Sequence, residues 1–357
     1  YLSNYNLAGF DGPGLTYTAS IKALCTEYKW NCTGNSIHGM PSMNHFNSDQ
    51  ATCGYGCSGN TYDSWWAFAP LGWGDSHEMG HNLQSLHLSD KNGNGQTGEV
   101  SNNVFPISVV YNWNQKYPNM YRTYSHDLEQ NAMYFELNNA QKQADPKAYI
   151  TDRIWGSVAN SVENNGLFRL STYHQLVMTA RSQSSRFGNG GWDLITMLYK
   201  GYRLKNYVHG SDNSWINYRV KLGFSNYTSA EARSISNNDQ MLILNSFLLR
   251  LDLRPFFDMY GLFYSKKASN QVNSYGYPAV AKQFYYFPVD SRSNAIWSVD
   301  PVGVLPVDGV TRSVPQVSLS FLITPDNGRS FVRGKPVQLR AKVSGFGTVT
   351  FKENGYT

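Results

Sequence analysis

Residues 72–103 read GWGDSHEMGHNLQSLHLSDKNGNGQTGEVSNN, and this stretch carries the strongest signal for the fold and its chemistry. It contains the pattern H-E-x-x-H at His77, Glu78 and His81. On an α-helix the two histidines lie one turn apart on the same face, so both imidazoles can reach one metal ion. The apolar period continues to Leu88, which predicts a single helix from about residue 72 to residue 88.

Glu78 is offset by one position from His77, which places its carboxylate beside a bound metal ion and not on it. A general base occupies this position in zinc peptidases, where it takes a proton from the zinc-activated water that acts as the nucleophile. Chance produces the pattern in on the order of one random chain in a hundred at this frequency of His and Glu. The pattern therefore indicates a zinc site, with a polar helix face as the alternative.

Catalytic zinc takes three protein ligands, and the candidates for the third lie downstream of His81. His87 follows six residues later on the predicted helix, so it points away from the shared face. Asp90 lies in the loop after that helix, and Glu99 opens the next predicted helix, GEVSNNVFPISVVY (98–111). A short turn can fold this second helix antiparallel onto the first. We therefore favour Glu99 as the third ligand and keep Asp90 as the alternative.

Two neighbouring features bear on the same site. Asn103 lies four residues after Glu99 on the same face of the predicted helix, where its amide can hold a ligand imidazole by a hydrogen bond. Residues 90–95 (DKNGNG) resemble the start of a calcium loop, but the twelfth position holds Ser101 where a glutamate is expected. A solvated turn is therefore favoured over a calcium site.

The segments HEMGHN and GEVSNNVF, the latter bringing Glu99 18 residues after the second histidine, resemble the enhancin-like zinc peptidases (peptidase family M-sixty, of the gluzincin type). That family includes bacterial mucin-type O-glycopeptidases and immunomodulating metalloproteases. The resemblance continues through YHQLVM, GWDLITMLYKGYR (191–203) and LRLDLRPFFDMYGL (249–262). It implies one zinc ion, action outside the cell, and substrates that are mucins or other O-glycosylated proteins.

Three residues are candidates for substrate contact. The resemblance implies a sugar-stacking aromatic residue just upstream of the zinc helix, where Trp66 lies. Trp65 is adjacent, and two neighbouring side chains on a strand face opposite ways, so one of the two is expected to stack on a sugar ring. Packing in the core is the equal alternative for each. Arg122 could donate hydrogen bonds to a glycan, with a surface arginine as the simpler interpretation.

The composition bounds the class of protein. Apolar residues make up 41% of the 357 residues, aromatic residues 15% and charged residues 15%, which is typical of a folded extracellular protein and not of disorder. The net charge of +5 comes without a Lys/Arg cluster, which argues against nucleic acid as a partner. No apolar run approaches the ~20 residues that a membrane span needs. The resemblance implies a bacterial protein, and with this composition we expect it to be a monomer that is secreted or displayed on the cell surface.

All four cysteines lie within the first 57 residues. Two disulfides are favoured over a metal or redox motif, because the pair CGYGC has no partner pair of the usual zinc spacing. Four cysteines allow three connectivities, and the favoured one joins Cys25 to Cys32 and Cys53 to Cys57.

The predicted fold class is α+β. Apolar residues recur at helical spacing over 15–30, 107–117, 126–143, 166–182, 192–204 and 238–251. From about residue 310 the period changes to two, as in VSLSFLI and TVTFKENG, which is typical of strands. We therefore predict a mainly helical gluzincin-type zinc peptidase domain over residues 1–305. A β-rich, partial immunoglobulin-like sandwich follows over residues 306–357.

These observations predict a zinc endopeptidase that cleaves O-glycosylated proteins. His77, His81 and Glu99 are the expected zinc ligands, and Glu78 is the expected general base. One alternative is a general zinc protease with no glycan dependence. The other is a mucin-binding adhesin with a vestigial site, which the complete set of three ligands and a base argues against.

Overall fold

The computed structural model describes residues 2–34, 36–40, 46–47, 50–52, 58–60, 73–89, 98–117, 143–155, 162–286, 303–307, 316–321 and 339–344. This part of the chain is mainly helical, as predicted. Its helices are α1 (Leu2–Leu7), α2 (Ala19–Tyr28), α3 (Trp73–Leu83), α4 (Gly98–Ser101), α5 (Val104–Lys116), α6 (Pro146–Trp155), α7 (Val162–Arg181), α8 (Asp193–Val208), α9 (Asp212–Tyr218), α10 (Ser229–Arg233), α11 (Asn237–Leu249), α12 (Arg254–Met259) and α13 (Lys266–Asn273).

Side-chain caps fix where several of these helices begin. The hydroxyl of Thr18 accepts a hydrogen bond from the backbone N–H of Ile21 at the start of α2. The hydroxyl of Ser236 accepts one from the backbone N–H of Asp239 at the start of α11. Each cap satisfies a donor that the first helical turn cannot pair, which stabilises the helix by about 1 kcal/mol.

Helix α11 lies at the centre of the helical core. Every residue from Asn238 to Ser246 is buried, and α11 packs against α8 and α13. Leu176 of α7, Leu194 of α8 and Leu242 of α11 are each fully buried. Burying a leucine stabilises the fold by about 1.5–3 kcal/mol, so these three helices contribute strongly to the stability of the helical core. No helix within the described ranges is long and apolar enough to cross a membrane.

The N-terminal segment is tied to this core by a disulfide and a buried lysine side chain. Cys25 and Cys32 form the predicted disulfide, with their Cα atoms 6.0 Å apart. Lys200 on α8 donates from Nζ to the backbone carbonyls of Gly9 and Cys32, at 2.8 and 2.7 Å. The predicted pair Cys53–Cys57 lies outside the described residues. The described contacts hold both α1 and α2 close to α8.

Short antiparallel strands accompany the helices. The strands β1 (Phe46–Asn47), β2 (Gln50–Thr52) and β3 (Ser58–Asn60) form a sheet in sequence order, and β2 and β3 contact α3. The strand β4 (Gln283–Tyr286) pairs with β5 (Gly303–Pro306), and β6 (Gln316–Phe321) pairs with β7 (Leu339–Ser344). The last pair lies in the segment predicted to be β-rich. The immunoglobulin-like sandwich and the boundary after residue 305 stay predictions.

Candidate metal centre

Helix α3 carries the H-E-x-x-H pattern. It spans Trp73–Leu83 and packs against α1 and α5. Met79 and Leu83 are buried at 6% and 2% exposure, whereas His77 and His81 are only half-buried. The helix therefore uses an apolar face to join the core and leaves its two histidines at the edge of the packed region.

The prediction that this helix continues to Leu88 is wrong. After Leu83 the chain runs without helical structure to Ser89. The backbone N–H of Leu88 donates to the hydroxyl of Tyr173 at 2.9 Å, and that of Ser89 donates to Asn238 Oδ1 at 2.9 Å. Side chains from α7 and α11 thus satisfy backbone donors that a longer helix would have paired internally.

A close approach at Gly80 brings α3 against the segment that follows α4. A Cβ atom at this position would lie 2.6 Å from the backbone oxygen of Asn102 and 3.0 Å from a ring carbon of Phe105. These separations are shorter than van der Waals contact, so only glycine fits without a shift. The approach brings the histidine face of α3 beside Glu99, in the first turn of α4.

The helix predicted over residues 98–111 is two helices. Helix α4 ends at Ser101 and α5 begins at Val104, so the prediction of one continuous helix is wrong. Asn102 and Asn103 form the break, and α3 is contacted by Nδ2 of Asn102 and by Oδ1 of Asn103. Asparagine side chains compete with the backbone for hydrogen bonds, which favours an interruption at this pair.

The structure brings the side chains of His77, His81 and Glu99 together. Glu99 Oε2 lies 3.2 Å from His77 Nε2 and 3.2 Å from His81 Nε2. The two Nε2 atoms are themselves 3.2 Å apart. The histidine side chains are 19% and 16% exposed and that of Glu99 is 62% exposed, so the group opens to solvent on the Glu99 side.

This triangle of atoms fits a zinc ion. Zinc bonds of about 2.0–2.1 Å in a tetrahedron separate any two ligand atoms by roughly 3.3 Å. The three edges of 3.2 Å match that separation. Two imidazole nitrogens and one carboxylate oxygen are also the donor set that a catalytic zinc site uses, with a fourth position left for water. Within the described residues, these three can therefore hold a metal ion as a group.

Asn103 fixes the orientation of the His77 ring. Its Nδ2 donates to the backbone carbonyl of Glu99 at 2.8 Å, which leaves Oδ1 facing His77 Nδ1 at 2.7 Å. Because an amide oxygen only accepts, His77 carries its proton on Nδ1 and directs the lone pair of Nε2 toward Glu99 and His81. This is the contact expected of Asn103 from the sequence, although its effect on metal binding stays a prediction.

His81 lies in a more crowded polar environment. Its Nδ1 is 2.9 Å from Gln84 Nε2, and its Nε2 is 3.0 Å from Asn102 Nδ2. Burial lowers the pKa of His81 against the raising effect of the Glu99 carboxylate, and the His77 ring adds to the lowering. Neutral imidazole is the form that binds metals, so these surroundings favour the ligand state of His81.

Sequence reasoning missed two of these contacts. Gln84 lies three residues after His81, and on the helix predicted to continue to Leu88 this spacing makes the two side chains neighbours, so the contact could have been predicted. Asn102 lies between α4 and α5 and contacts α3, and no local sequence pattern predicts this contact.

Glu78 lies on α3 next to His77 and is 8% exposed. Its position is rotated about 100° from His77 around the helix, so it lies outside the line of the two histidines. His87, excluded as a ligand because it was expected on the same helix, is not helical at all. Its Nδ1 lies 2.8 Å from the hydroxyl oxygen of Ser101.

Other sequence candidates lie outside the described residues. They are the alternative ligand Asp90, the loop that resembles a calcium site, the tryptophans Trp65 and Trp66, and Arg122. Their roles stay predictions.

Two histidines one helical turn apart, a glutamate between them and a carboxylate from the next helix together define the metallopeptidase class that uses the H-E-x-x-H pattern. Comparison with known families agrees with this class. The family described as peptidase M60, enhancin and enhancin-like matches residues 48–261. The chain belongs to this peptidase family.

Individual relatives extend the comparison. The immunomodulating metalloprotease of Pseudomonas aeruginosa is 34% identical over 302 residues, which cover 81% of this chain and 30% of that protein. The solved structure of the IMPa metallopeptidase from Pseudomonas aeruginosa is similar with a TM-score of 0.65 at 27% identity. Structures of IMPa in complex with T-antigen and with an O-glycopeptide each give a TM-score of 0.64 at 26% identity.

Each of these three structures matches 87% of this chain and 34% of the solved one. The chain therefore spans about a third of the length of the relatives it matches.

Proposed function

We propose that this chain is a zinc endopeptidase that hydrolyses peptide bonds in O-glycosylated, mucin-like proteins, and that it acts as a secreted or cell-surface protein of a bacterium. The observation that carries the proposal is the triangle of ligand atoms from His77, His81 and Glu99, with edges of 3.2 Å. The disulfide between Cys25 and Cys32 supports action outside the cytoplasm, because structural disulfides persist in oxidising compartments.

His77, His81 and Glu99 would hold the zinc ion, since His77 Nε2, His81 Nε2 and Glu99 Oε2 are the atoms that the structure brings together. When bound, zinc supplies a Lewis acid that lowers the pKa of a water molecule toward neutrality and polarises the carbonyl of the substrate. Asn103 keeps the His77 ring in the tautomer that presents Nε2 as an acceptor.

Glu78 acts as the general base. A carboxylate oxygen of Glu78 takes the proton of the attacking water and delivers it to the nitrogen of the leaving amine. Its place on α3, one residue from His77 and offset around the helix, puts it beside the ligand face and outside the ligand set.

The substrate class rests on the relatives. Solved structures of IMPa are complexes with T-antigen and with an O-glycopeptide, and this chain shares their fold over 87% of its length. The large exposed fraction of Glu99, 62%, leaves room for an extended substrate on that side of the centre. Trp66, with Trp65 as the alternative, and Arg122 are the proposed contacts to the glycan.

The test is mass spectrometry of a mucin-type O-glycopeptide and its unglycosylated twin after incubation with the protein, with and without a chelator. We expect cleavage of the glycopeptide alone, lost with chelator and restored by added zinc. Glu78→Gln should retain zinc and lose turnover by about 10²–10⁴-fold. Glu27→Gln is a matched control on α2, since this carboxylate pairs with Arg186 and Arg250.

Three outcomes would contradict parts of the proposal. Equal cleavage of both peptides would indicate a general protease. Binding of the glycopeptide with no cleavage in the presence of zinc would indicate an adhesin. Undiminished hydrolysis by Glu78→Gln would remove Glu78 from the reaction.

Trp66 tests the glycan contact separately. Stacking of an aromatic ring contributes on the order of 1 kcal/mol, so Trp66→Ala should raise KM for the glycopeptide roughly fivefold with zinc content and melting temperature unchanged. Trp65→Ala is the matched control, because the side chain of Trp65 is expected to face the opposite way from that of Trp66. A large fall in melting temperature for Trp66→Ala would show that it packs in the core.

A further inference from the structure

An open pocket borders helix α2, and it uses residues separate from those of the candidate metal centre. Its volume is about 480 Å³, within the range of about 300–1,000 Å³ that is typical of small-molecule sites. None of its described lining residues belongs to α3 or α4. We call it the α2 pocket, and its main borders are Tyr17, Lys22, Lys29, Trp30 and Tyr218.

Aromatic rings form the inner surface of the α2 pocket. Trp30 is 6% exposed and forms the floor, whereas Tyr17 and Tyr218 are half-buried and form the walls. Trp30 Nε1 donates to the backbone carbonyl of Lys221 at 2.7 Å, and the Tyr17 hydroxyl donates to that of Phe10 at 2.9 Å. Nζ of Lys221 lies 4.8 Å from the centre of the Tyr218 ring. These contacts position the rings before a ligand binds, which lowers the entropy cost of binding.

The rim of the α2 pocket is basic and polar. Lys22 lies on α2 and Lys29 is its C-cap residue, and both are exposed. Exposed lysines are positively charged at neutral pH, and none of the described lining residues is acidic. Exposed side chains with hydroxyl or amide groups complete the rim at Thr26, Asn31 and Thr33. The rim therefore favours a ligand that carries both negative charge and several hydroxyl groups.

The neighbouring carboxylates already have partners. Glu27 on α2 pairs with Arg186 at 2.8 Å and with Arg250 at 2.6 Å. Asp11 Oδ2 accepts a hydrogen bond from the backbone N–H of Gly34 at 2.8 Å. Neither carboxylate lines the α2 pocket, so the charge balance at its rim is positive.

We propose that the α2 pocket is a non-catalytic binding site for an anionic sugar, a ring with free hydroxyl groups that carries a carboxylate or a sulfate ester. The C–H face of the ring packs on the aromatic walls, and Lys22 and Lys29 bind the anionic group. The polar side chains of the rim pair with the hydroxyl groups. The inference goes beyond the proposed function, because it uses no residue of the metal centre and requires no zinc.

Ligand-observed NMR titrations of the full chain test this proposal. The probes are N-acetylneuraminic acid for the carboxylate source, galactose 6-sulfate for the sulfate source, and galactose as the neutral control. We expect at least one acidic sugar to bind roughly fivefold or more tightly than galactose, because two exposed charges contribute. Raising the salt concentration should remove this difference, since exposed charges are screened.

The aromatic wall is tested at Tyr218. Tyr218→Leu keeps the bulk of the side chain and loses the ring, so it should weaken binding of the acidic sugar about fivefold, whereas Tyr218→Phe should bind as the wild type does. Tyr202→Leu is the matched control, because Tyr202 is also half-buried, has Nζ of Lys205 at 5.9 Å from its ring centre, and does not line the α2 pocket. Wild-type affinity in Tyr218→Leu would overturn the stacking contact.

The basic rim is tested by replacing both of its lysines. The double variant Lys22→Gln with Lys29→Gln should weaken binding of the acidic sugar roughly fivefold and leave that of galactose unchanged. Lys266→Gln with Lys282→Gln is the matched control, because both residues are exposed, the change in charge is the same, and neither lines the α2 pocket. Equal weakening in the two double variants would mean that net charge alone attracts the sugar, and would overturn the site.

Titrations of the zinc-loaded and the metal-free chain separate this proposal from the proposed function. Equal affinity in the two forms supports the α2 pocket, even for a chain that proves to have no peptidase activity. Binding only in the zinc-loaded form would place the sugar at the metal centre and overturn the proposal. So would failure of both acidic sugars to bind, or displacement of the sugar by inorganic sulfate at the same concentration. An acidic peptide that bound more tightly than either sugar would assign the pocket to a peptide partner instead.

Discussion

Replacing Gly80 by alanine tests whether the close approach of α3 to Asn102 sets the geometry of the metal centre. The added Cβ would lie 2.6 Å from the Asn102 backbone oxygen, 2.9 Å from the Asn102 Cβ and 3.0 Å from a carbon of Phe105. Ordinary contacts begin at about 3.4 Å, so the two segments must separate by roughly 0.4–0.8 Å. The neighbours include backbone, so no simple rotation of a side chain relieves the contact.

That separation acts on stability and on zinc affinity together. Overpacking of this kind costs about 1–3 kcal/mol, which lowers the melting temperature by roughly 2–8 °C. It also moves Glu99 away from His77 and His81, whereas ligand distances in metal sites tolerate only about 0.2 Å. We therefore expect Gly80→Ala to bind zinc at least about tenfold more weakly than the wild type.

Gly98→Ala is the matched control. This glycine immediately precedes Glu99 at the start of α4, and a Cβ there meets no heavy atom of the described residues within 4 Å. It should leave zinc affinity unchanged and raise the free energy of unfolding by up to about 1 kcal/mol. The assays are calorimetric unfolding without metal and zinc titration by dye competition. Wild-type zinc affinity in Gly80→Ala would refute the reasoning.

Glu99→Ala should abolish zinc binding while Asp90→Ala retains it; elemental analysis of the two proteins decides, and the reverse pattern would move the third ligand to the loop. Reducing the disulfide between Cys25 and Cys32, which closes a loop with a sequence separation of 7, should lower the free energy of unfolding by about 2.5 kcal/mol. An unchanged denaturation midpoint in Cys32→Ser would contradict this. Burial lowers the pKa of His38 to about 3 from its ordinary 6.5, so folded His38 stays neutral where the unfolded chain takes up a proton. The stability present above about pH 6.5 should be lost as the pH falls toward 3, by up to about 1.4 kcal/mol per pH unit, and His38→Gln should flatten this slope in denaturation at several pH values.

The centre of the site could be predicted because its signals are local. The spacing of His77 and His81 encodes a shared helical face, and Glu99 follows after a turn-rich stretch that permits the chain to reverse. The structure places their side-chain atoms 3.2 Å apart. The helical core could be predicted for the same reason, since α8 and α11 repeat apolar residues at helical spacing over long segments.

The end of α3 could not be predicted, because distant residues decide it. Leu86 and Leu88 continue an apolar pattern that suits a helix, and both are buried in the structure. Their backbone follows another path because Tyr173 and Asn238, each more than 80 residues away, offer hydrogen-bond partners there. A pattern within one segment carries no information about such partners.

The break between α4 and α5 is a subtler case. Asn102 and Asn103 are unfavourable inside a helix, so this pair in the sequence already favours a break there. The apolar residues on either side hide it, since Val100, Val104 and Ile107 keep helical spacing across the break and are all buried. Apolar periodicity alone therefore predicts one continuous helix, although the two asparagines interrupt it.

Because the three ligands come from two helices, a bound zinc ion would also stabilise the fold. His77 and His81 belong to α3 and Glu99 belongs to α4, so a bound ion ties together elements that a stretch of fourteen residues, 84–97, otherwise connects. An ion that binds only the folded state stabilises it by about 4.1 kcal/mol at a free concentration 1,000 times its Kd. If the proposed zinc ion is present at that concentration, we expect the folded chain to open about a thousand times less often than the metal-free chain. Removal of the metal would then expose the chain to other proteases, so that metal supply would act on its lifetime as well as on the proposed activity.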